Sequence, residues 1–425
     1  MIAGERGKAY PVTCEQEAMW LDDHLHEGPS RYLESWVYRV DGPLDLDAVR
    51  WTLTRLAERH EALRTTVILR DDELVQVVAD PVEVQLQVLS CLPDALLAEE
   101  LRRLVSRPLD IEAMAWRASV LTWGPQHHVL VLQVHHALVD DWALAVLDEE
   151  FSQAYTERVT GQAADLPDLP LQLGDYALAQ RAAGVGVDVV AYWRERLQGI
   201  SRDNASTGDR VPTAGARHGD QVRFHLDVGR AQLIRASARR WRTTPFTVLL
   251  SALGVLLSRH RGVTDLIIGT PISRRGSAGF DRVIGCLTDL LPLRQLVMPD
   301  QSFSGLVGQN KEIVREAIAY RSISYAEVQR LVAPRRNPGM ARLCETVLVV
   351  DDANRVPLRL PGARTERIYV PSGIAKFDLC LTLVADQGQY LGLLDYATDV
   401  FNRGQIERIA EEFRSLLDEL LDNAG

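Results

Sequence analysis

The sequence predicts a mixed α/β fold, and three features support this prediction. Five of the six residues from Val129 to Val134 are Val or Leu, an apolar run that is typical of a buried strand. From Trp142 onward, apolar residues recur every three or four positions, which is the period of a helix. Strand-like and helix-like segments alternate again after residue 220. A chain of 425 residues is long for one core and suits two domains of roughly 200 residues each.

The remaining elements follow from local patterns taken in chain order. Apolar residues every three or four positions indicate helices, and alternating apolar and polar residues indicate strands. Asp45 or Asp47 is a suitable N-terminal cap for the second helix. Helices are expected at residues 14–24, from about 46, at 94–105, from 142, and at 229–241, 244–260 and 405–421. Strands are expected at residues 33–40, 66–70, 74–79, 83–89, 129–134 and 222–227. The small, polar, proline-bearing stretch 159–170 is the best linker signal.

Composition is that of an ordinary globular protein, with 46% hydrophobic and 25% charged residues. The net charge of −11 argues against nucleic acid or an anionic membrane as the main partner. No apolar run is long enough to span a membrane and the first residues lack a signal-peptide core, so we expect a cytoplasmic protein. The five cysteines are scattered without a CxxC pair, which predicts neither a disulfide framework nor a metal site.

A histidine pair, His135 and His136, stands where the apolar strand ends and the helix has not begun. Consecutive residues leaving a strand point in opposite directions, so the two side chains are expected to have different roles. A neutral imidazole near pH 7 can accept a proton from an amine or hydroxyl, and Asp140 can anchor the loop. Two structural histidines are the alternative, and the doublet at 127–128 shows how readily such pairs occur.

The longer string HHALVDDW resembles the HHxxxDG motif of the condensation-domain superfamily of nonribosomal peptide synthesis. Members of that superfamily join carrier-bound acyl groups to amines or alcohols. His135, His136 and Asp140 match in identity and spacing, and Trp142 fits a common continuation. Asp141 stands where the family has glycine.

Further segments resemble other motifs of the same family in the same order, so the resemblance covers almost the whole chain. RHEALRTTV at residues 59–67 resembles RHExLRTxF, with Val67 in place of Phe. The resemblance suggests that Arg64 pairs with Asp140 and locks the histidine loop, whereas the residues alone favour a surface arginine at a helix end. IGCLTDLLPLR at 284–294, RNP at 336–338 and KFDL at 376–379 are the later matches, with Asp289 where Asn is usual.

The resemblance implies two chloramphenicol-acetyltransferase-like halves, 1–170 and 171–425, packed in a V with a tunnel between them. A carrier protein would present an acyl thioester on its phosphopantetheine arm, and an amine or alcohol, itself free or carrier-bound, would accept it, with no bound cofactor or metal. His136 would deprotonate or orient the nucleophile, and His135 and Asp140 would be structural. Asp141 and Trp142 would lie in the oxyanion region.

Asp141 leaves three interpretations open: its side chain points away from the reaction, contacts a cationic or polar acceptor, or marks a loss of catalysis. The leading hypothesis is amide formation, followed by ester formation and by an inactive module that recruits a partner protein. An acyltransferase using coenzyme A is the fourth hypothesis, but it would be expected to lack RHEALRTT and KFDL. Arginines that an acidic carrier could contact lie in two clusters, at positions 102, 103 and 107 and at positions 335 and 336.

Overall fold

The computed structural model describes residues 7–25, 30–90, 96–113, 115–200, 218–276, 279–332, 343–352 and 356–422. Strands and helices are interspersed throughout these ranges, and the predicted mixed α/β fold is confirmed. The strands are β1 (Lys8–Pro11), β2 (Leu33–Asp41), β3 (Thr65–Arg70), β4 (Glu73–Val78), β5 (Leu86–Ser90), β6 (Trp116–Thr122), β7 (His127–His135), β8 (Gly219–Leu226), β9 (Asp265–Ser273), β10 (Thr288–Leu296), β11 (Thr346–Asp351), β12 (Arg364–Arg367), β13 (Leu379–Asp386) and β14 (Gln389–Ala397). The helices are α1 (Cys14–Leu25), α2 (Leu46–Arg59), α3 (Leu97–Val105), α4 (Asp141–Thr160), α5 (Leu173–Ala183), α6 (Val187–Arg196), α7 (Val228–Arg240), α8 (Pro245–Arg261), α9 (Phe303–Ala319), α10 (Tyr325–Val332) and α11 (Arg403–Asp422).

Two compact units divide the chain. The first comprises Met1–Gly184, Ser273–Thr288 and Arg355–Ser372, and the second comprises Val185–Ile272, Asp289–Asn354 and Gly373–Gly425. This division differs from the one that the sequence suggests, because the first unit continues past residue 170 and takes in two later segments. The later segments are incorporated for identifiable reasons: one supplies a buried partner for Asp140, and the other supplies β12, which pairs with β2.

The first unit is built around a sheet with the strand order β12-β2-β7-β6-β5. Successive residues of β7 alternate between two clusters of buried side chains, so both faces of the strand are covered. Leu130 and Leu132 pack on the face that includes residues of α2 and α4, whereas Val129 and Val131 pack with residues of α3. Burial of both faces explains why five of the six residues from Val129 to Val134 are Val or Leu rather than alternating with polar residues. A smaller sheet in the same unit has the order β1-β4-β3.

Helix α4 follows the central strand and runs back along this unit. It ends at Gly161, whose φ of 77° is left-handed and suits glycine at a helix C-terminus. No helix or strand forms from there to residue 172, in agreement with the linker-like composition of this stretch. The segment nevertheless lies inside the first unit rather than between the two units.

The second unit has its own sheet and its own core. Its strand order is β10-β9-β11-β13-β14-β8, with β11 parallel to β13 and β14 antiparallel to both of its neighbours. Large side chains such as Trp193, Tyr390 and Phe413 are buried in one cluster with residues of α8 and α11. The closing helix predicted at residues 405–421 is therefore confirmed as a core element of this unit.

Candidate functional site

The histidine pair lies at the turn from β7 to α4. The strand ends at His135, residues 136–138 form one 3₁₀ turn, and α4 begins at Asp141. Asp140 caps this helix, since its Oδ1 accepts a hydrogen bond from the backbone N–H of Ala143 at 2.9 Å. An abrupt change from strand to capped helix thus presents the polar residues at the end of a rigid, fully packed strand.

His136 is held in one orientation by its own turn. Its Nδ1 lies 2.7 Å from the backbone oxygen of Val139, and its backbone N–H donates to the carbonyl of Tyr32 at 2.7 Å. Because a carbonyl can only accept, Nδ1 carries the proton and the neutral ring has its lone pair on Nε2. A carboxylate oxygen of Glu34 lies 3.6 Å from the same Nδ1. The imidazole therefore has the tautomer that a general base acting through Nε2 requires.

His135 occupies a different environment, as its direction from the strand predicts. Its side chain is fully buried, and its Nε2 lies 3.1 Å from both Asp23 Oδ2 and Ser30 Oγ. Its Nδ1 accepts a hydrogen bond from the backbone N–H of Ala137 at 3.2 Å. These partners engage both ring nitrogens and tie the turn to α1 and to the chain that enters β2. The buried contacts hold the imidazole of His135 in place.

Asp140 is the most heavily bonded acid of the turn. Its Oδ2 accepts from Arg275 Nη1 at 2.6 Å, from the backbone N–H of Leu287 at 2.9 Å and from Thr288 Oγ1 at 2.9 Å. Both side chains of the ion pair are almost completely buried. Arg275 also donates to the carbonyls of Val283 and Gly285. The pair therefore fastens the segment Ser273–Thr288 to the histidine turn.

The predicted pairing of Arg64 with Asp140 is wrong. Arg64 donates instead to the backbone carbonyls of Ala57 and Ala79, the first at 2.7 Å. These contacts bind the last turn of α2, where helix carbonyls lack intrahelical donors, to the residue that follows β4. Arg275, which lies 135 residues beyond Asp140, takes the expected place.

Asp141 replaces the family glycine without distorting the backbone. It is the first residue of α4 and has a helical conformation, so the left-handed freedom of glycine is not needed here. Its side chain is 62% exposed, and Oδ1 lies 4.0 Å from Nη2 of Arg367 on β12. Burial works to lower the pKa of Arg367, but the negative charges around it, including that of Asp141, outweigh burial and raise it. The carboxylate is thus drawn toward a cation within the same unit.

Trp142 is half-exposed on the first turn of α4. Its indole Nε1 donates to the backbone carbonyl of Asp281 at 2.7 Å. Asp281 belongs to the same segment that Arg275 fastens to the turn. Trp142 therefore gives that segment a second attachment to the start of the helix.

The RHEALRTTV segment contacts α4 through its first two residues, Arg59 and His60. His60 Nε2 lies 2.7 Å from Oε2 of Glu150 on α4, and Arg59 donates to the same oxygen at 2.9 Å. Glu150 is fully buried. Burial alone would raise its pKa, but the hydrogen bond and charge of His60, together with Arg59, lower it to about 2. Arg282 donates to the other oxygen at 3.1 Å.

Sequence reasoning missed Glu34, Glu150, Arg275 and Arg367. Glu34 gives a usable signal, because it is a charged residue that shares a strand face with the core residues Trp36 and Tyr38. For Arg275 and Arg367 the sequence offers no comparable signal. Their partners are distant in the chain, and arginine is common on surfaces.

No helix in the described residues has the length and apolarity required to span a bilayer. Within the same residues, His, Cys, Asp and Glu nowhere form a group of three or more that could hold a metal ion. Among the described cysteines, Cys286 and Cys344 are buried and Cys14 and Cys380 are half-buried, and none of the four is in a disulfide. Cys91 lies outside the described residues.

Of the two basic clusters, only the first belongs to the described chain. Arg102, Arg103 and Arg107 are exposed on and just after α3. Arg103 pairs with Glu100 one turn earlier, and Arg107 lies 3.4 Å from Gln87 Oε1. The second cluster, residues 335 and 336, and the RNP match at residues 336–338 lie outside the described residues.

Sequence comparisons extend the match over nearly the whole chain. The family model described as the condensation domain matches residues 7–424. The chain is 31% identical over 427 residues to a probable non-canonical nonribosomal peptide synthetase, CymA, of Salinispora arenicola. It is 29% identical over 426 residues to the phosphinothricin tripeptide synthetase PhsB of Streptomyces viridochromogenes. Both alignments cover 97% of this chain, but only 5% and 36% of the two relatives.

Solved structures give the same result for the fold. The X-domain from teicoplanin biosynthesis is 25% identical, with a TM-score of 0.87, and the alignment covers 98% of this chain and 96% of that one. A complex of the X-domain with OxyB has also been solved, and its X-domain matches with a TM-score of 0.85. The first condensation domain of the calcium-dependent antibiotic synthetase is 19% identical, with a TM-score of 0.82, over 97% of this chain and 96% of that one.

Proposed function

The chain belongs to the condensation-domain family of nonribosomal peptide synthesis, and on this premise we propose that it is an acyltransferase that forms amide bonds. The donor is an acyl thioester on the phosphopantetheine arm of a carrier protein, and the acceptor is an amine. The carrier and its arm are substrates rather than resident parts of the protein. The exposed arginines of α3 are a candidate contact for an acidic carrier. We also propose that the reaction takes place in the cytoplasm.

His136 is the residue proposed to carry the chemistry. The attacking nitrogen forms a bond to the thioester carbonyl carbon while Nε2 of His136 takes a proton from that nitrogen. The tetrahedral intermediate then expels the arm as a thiolate, which takes the proton back from Nε2 of His136, and the amide remains. The single observation that supports this role is the 2.7 Å contact from Nδ1 to Val139, because it leaves the lone pair on Nε2.

The other residues of the turn are proposed to act by position. His135 and Asp140 hold the turn through buried contacts, and Trp142 ties the segment Ser273–Thr288 to α4. The ion pair with Arg367 draws the carboxylate of Asp141 toward β12. This contact favours the interpretation in which the Asp141 side chain points away from the reacting oxygen, and the helix N-terminus keeps its backbone N–H groups.

Mass spectrometry of an acyl-loaded carrier protein offered amine and alcohol acceptors tests the proposal. Wild type is expected to form an amide, and His136→Ala is expected to form none. An ester with alcohols would instead establish the same chemistry with the other nucleophile. Acyl-coenzyme A, offered in a parallel reaction, tests the alternative donor. Transfer from coenzyme A but not from the carrier would contradict the proposed donor.

A second candidate function is recruitment of a partner protein without catalysis. The X-domain of teicoplanin biosynthesis, which this fold matches closely, forms a complex with OxyB. Asp141 and Asp289, which replace residues usual in the family, favour this candidate, whereas the intact His136 with its fixed tautomer favours catalysis. A wild-type protein that is silent with every loaded carrier, together with an active Asp141→Gly variant, would support recruitment and contradict the proposed chemistry.

A further inference from the structure

Glu34 lies beside His136, the proposed base, and belongs to none of the family motifs matched in the sequence. It is the second residue of β2, and the antiparallel register sets it opposite Val134, the residue next to the end of β7. Side chains alternate along a strand, so Glu34 shares its face with Trp36 and Tyr38, which are core residues. Its carboxylate continues this apolar face to the point where the histidine turn begins.

The distance between the two groups is short enough for a strong electrostatic effect. Glu34 Oε1 lies 3.6 Å from Nδ1 of His136, and the side chains are 26% and 23% exposed, respectively. Partial burial lowers the effective dielectric constant, so a charge at this distance interacts more strongly than it would in water. The carboxylate faces the nitrogen that already carries the proton, and it therefore stabilises the imidazolium that forms when Nε2 accepts a second proton.

Other charged groups around the turn are engaged with one another. These pairs are Asp23 with His135, Asp22 with Arg31, Asp140 with Arg275, and Asp141 with Arg367. In the three pairs that contain an arginine, the arginine offsets the charge of the acid. Glu34 is expected to act on the imidazole because its carboxylate lies 3.6 Å from Nδ1 of His136.

We propose that Glu34 is a positioning residue that raises the basicity of His136 and, with Val139, fixes its tautomer. This inference rests on the proposed function for its catalytic meaning, but the electrostatic effect does not depend on any substrate. The carboxylate acts through His136 and transfers no proton itself. It makes the imidazole a better proton acceptor and stabilises the charged intermediate state.

The direct test is an NMR titration of His136 in wild type and in Glu34→Gln. The chain has ten histidines, so the signals of His136 are assigned by their absence from His136→Ala. We expect the pKa of His136 to fall by about one unit in Glu34→Gln, because an opposite charge at this distance has been removed. Equal pKa values in the two proteins would overturn the proposal.

Two further variants separate the charge from the fold. Glu73→Gln makes the same substitution at the exposed start of β4 and is expected to leave the His136 titration unchanged. Glu34→Asp keeps a carboxylate on a shorter side chain and is expected to retain part of the wild-type pKa. If Glu34→Asp and Glu34→Gln lower the pKa equally, packing rather than charge is responsible, and the proposal fails.

The pH dependence of kcat/KM is a second test of the interaction between Glu34 and His136. If the proposed condensation holds, kcat/KM of wild type falls at low pH as His136 becomes protonated. This acid limb should move to lower pH by about one unit in Glu34→Gln, with a plateau reduced several-fold. An unmoved acid limb in an active enzyme would contradict the role of Glu34. If the pKa of His136 falls in Glu34→Gln as expected but the wild-type protein forms no product, the role of Glu34 holds and the proposed function fails.

Discussion

Asp140 Oδ2 lies 2.6 Å from Nη1 of Arg275, and both side chains are buried. This pair joins the cap of α4 to a segment that follows it by more than 130 residues. The same carboxylate accepts from the backbone N–H of Leu287 and from the hydroxyl of Thr288. The histidine turn is therefore rigid on the side of Asp140 because three donors from one distant segment converge on a single oxygen.

Arg275→Met should destabilise the protein by about 3–5 kcal/mol, because it leaves the Asp140 carboxylate buried without its cation. Urea unfolding followed by circular dichroism measures this loss. The double variant Arg275→Met with Asp140→Asn removes the uncompensated charge and should recover part of the stability. Equal stability of wild type and Arg275→Met would show that the buried pair contributes nothing.

Arg64→Met is the matched control for Arg275→Met, because the family resemblance suggested that Arg64 would pair with Asp140. It removes hydrogen bonds to the carbonyls of Ala57 and Ala79. A cost of about 2 kcal/mol is expected from urea unfolding. Its kcat under saturating donor and acceptor should equal that of wild type, since Arg64 bonds neither Asp140 nor the histidines. A large fall in kcat would restore the rejected role of Arg64 in holding the turn.

His136→Ala should reduce the rate of product formation by about 10²–10⁴-fold, the usual contribution of a positioned general base. Single-turnover assays with a loaded carrier measure the chemical step. His135→Asn is a useful contrast, since it alters a buried structural contact and should lower the melting temperature as well as the rate. A His136→Ala variant with wild-type turnover would exclude His136 as the base.

Asp141→Gly should remain within several-fold of wild type in product formation, because the Asp141 side chain is exposed and its backbone is helical. The variant should lose about 1 kcal/mol of stability, since glycine is a poor helix former and the acid favours the helix N-terminus. Asp141→Asn separates the charge from the backbone effect. A large gain in rate for both variants would mean that the carboxylate opposes catalysis.

Acid stability should depend on Glu150, whose pKa is lowered to about 2 from an ordinary value of 4.5. A folded-state pKa below the unfolded one gives stability that is fully present above pH 4.5 and is lost as the pH falls toward 2. The shift corresponds to roughly 3 kcal/mol. Unfolding free energies of wild type and Glu150→Gln, measured from pH 6 to 3, should converge as the pH falls. A difference in unfolding free energy between the two proteins that stays constant from pH 6 to 3 would contradict the role of Glu150 in acid stability.

The sequence by itself determined the mixed α/β fold, the central strand, the helices around it and the family, as its ordered motifs indicated. These features depend on residues that are neighbours in the chain, where apolar spacing, caps and breakers operate locally. Strand geometry also sends the side chains of His135 and His136 in different directions, and the structure places them among different partners; their different roles remain a prediction.

Only the tertiary structure decided which residues meet at the turn. Arg275, Arg367 and Glu34 approach it from separate parts of the chain, and no spacing rule connects them to the histidines. The distribution of residues between the two units has the same origin, because a segment joins whichever unit buries its charges and strand edges. Long-range pairing is chosen by the burial of the assembled fold, and local patterns do not contain that information.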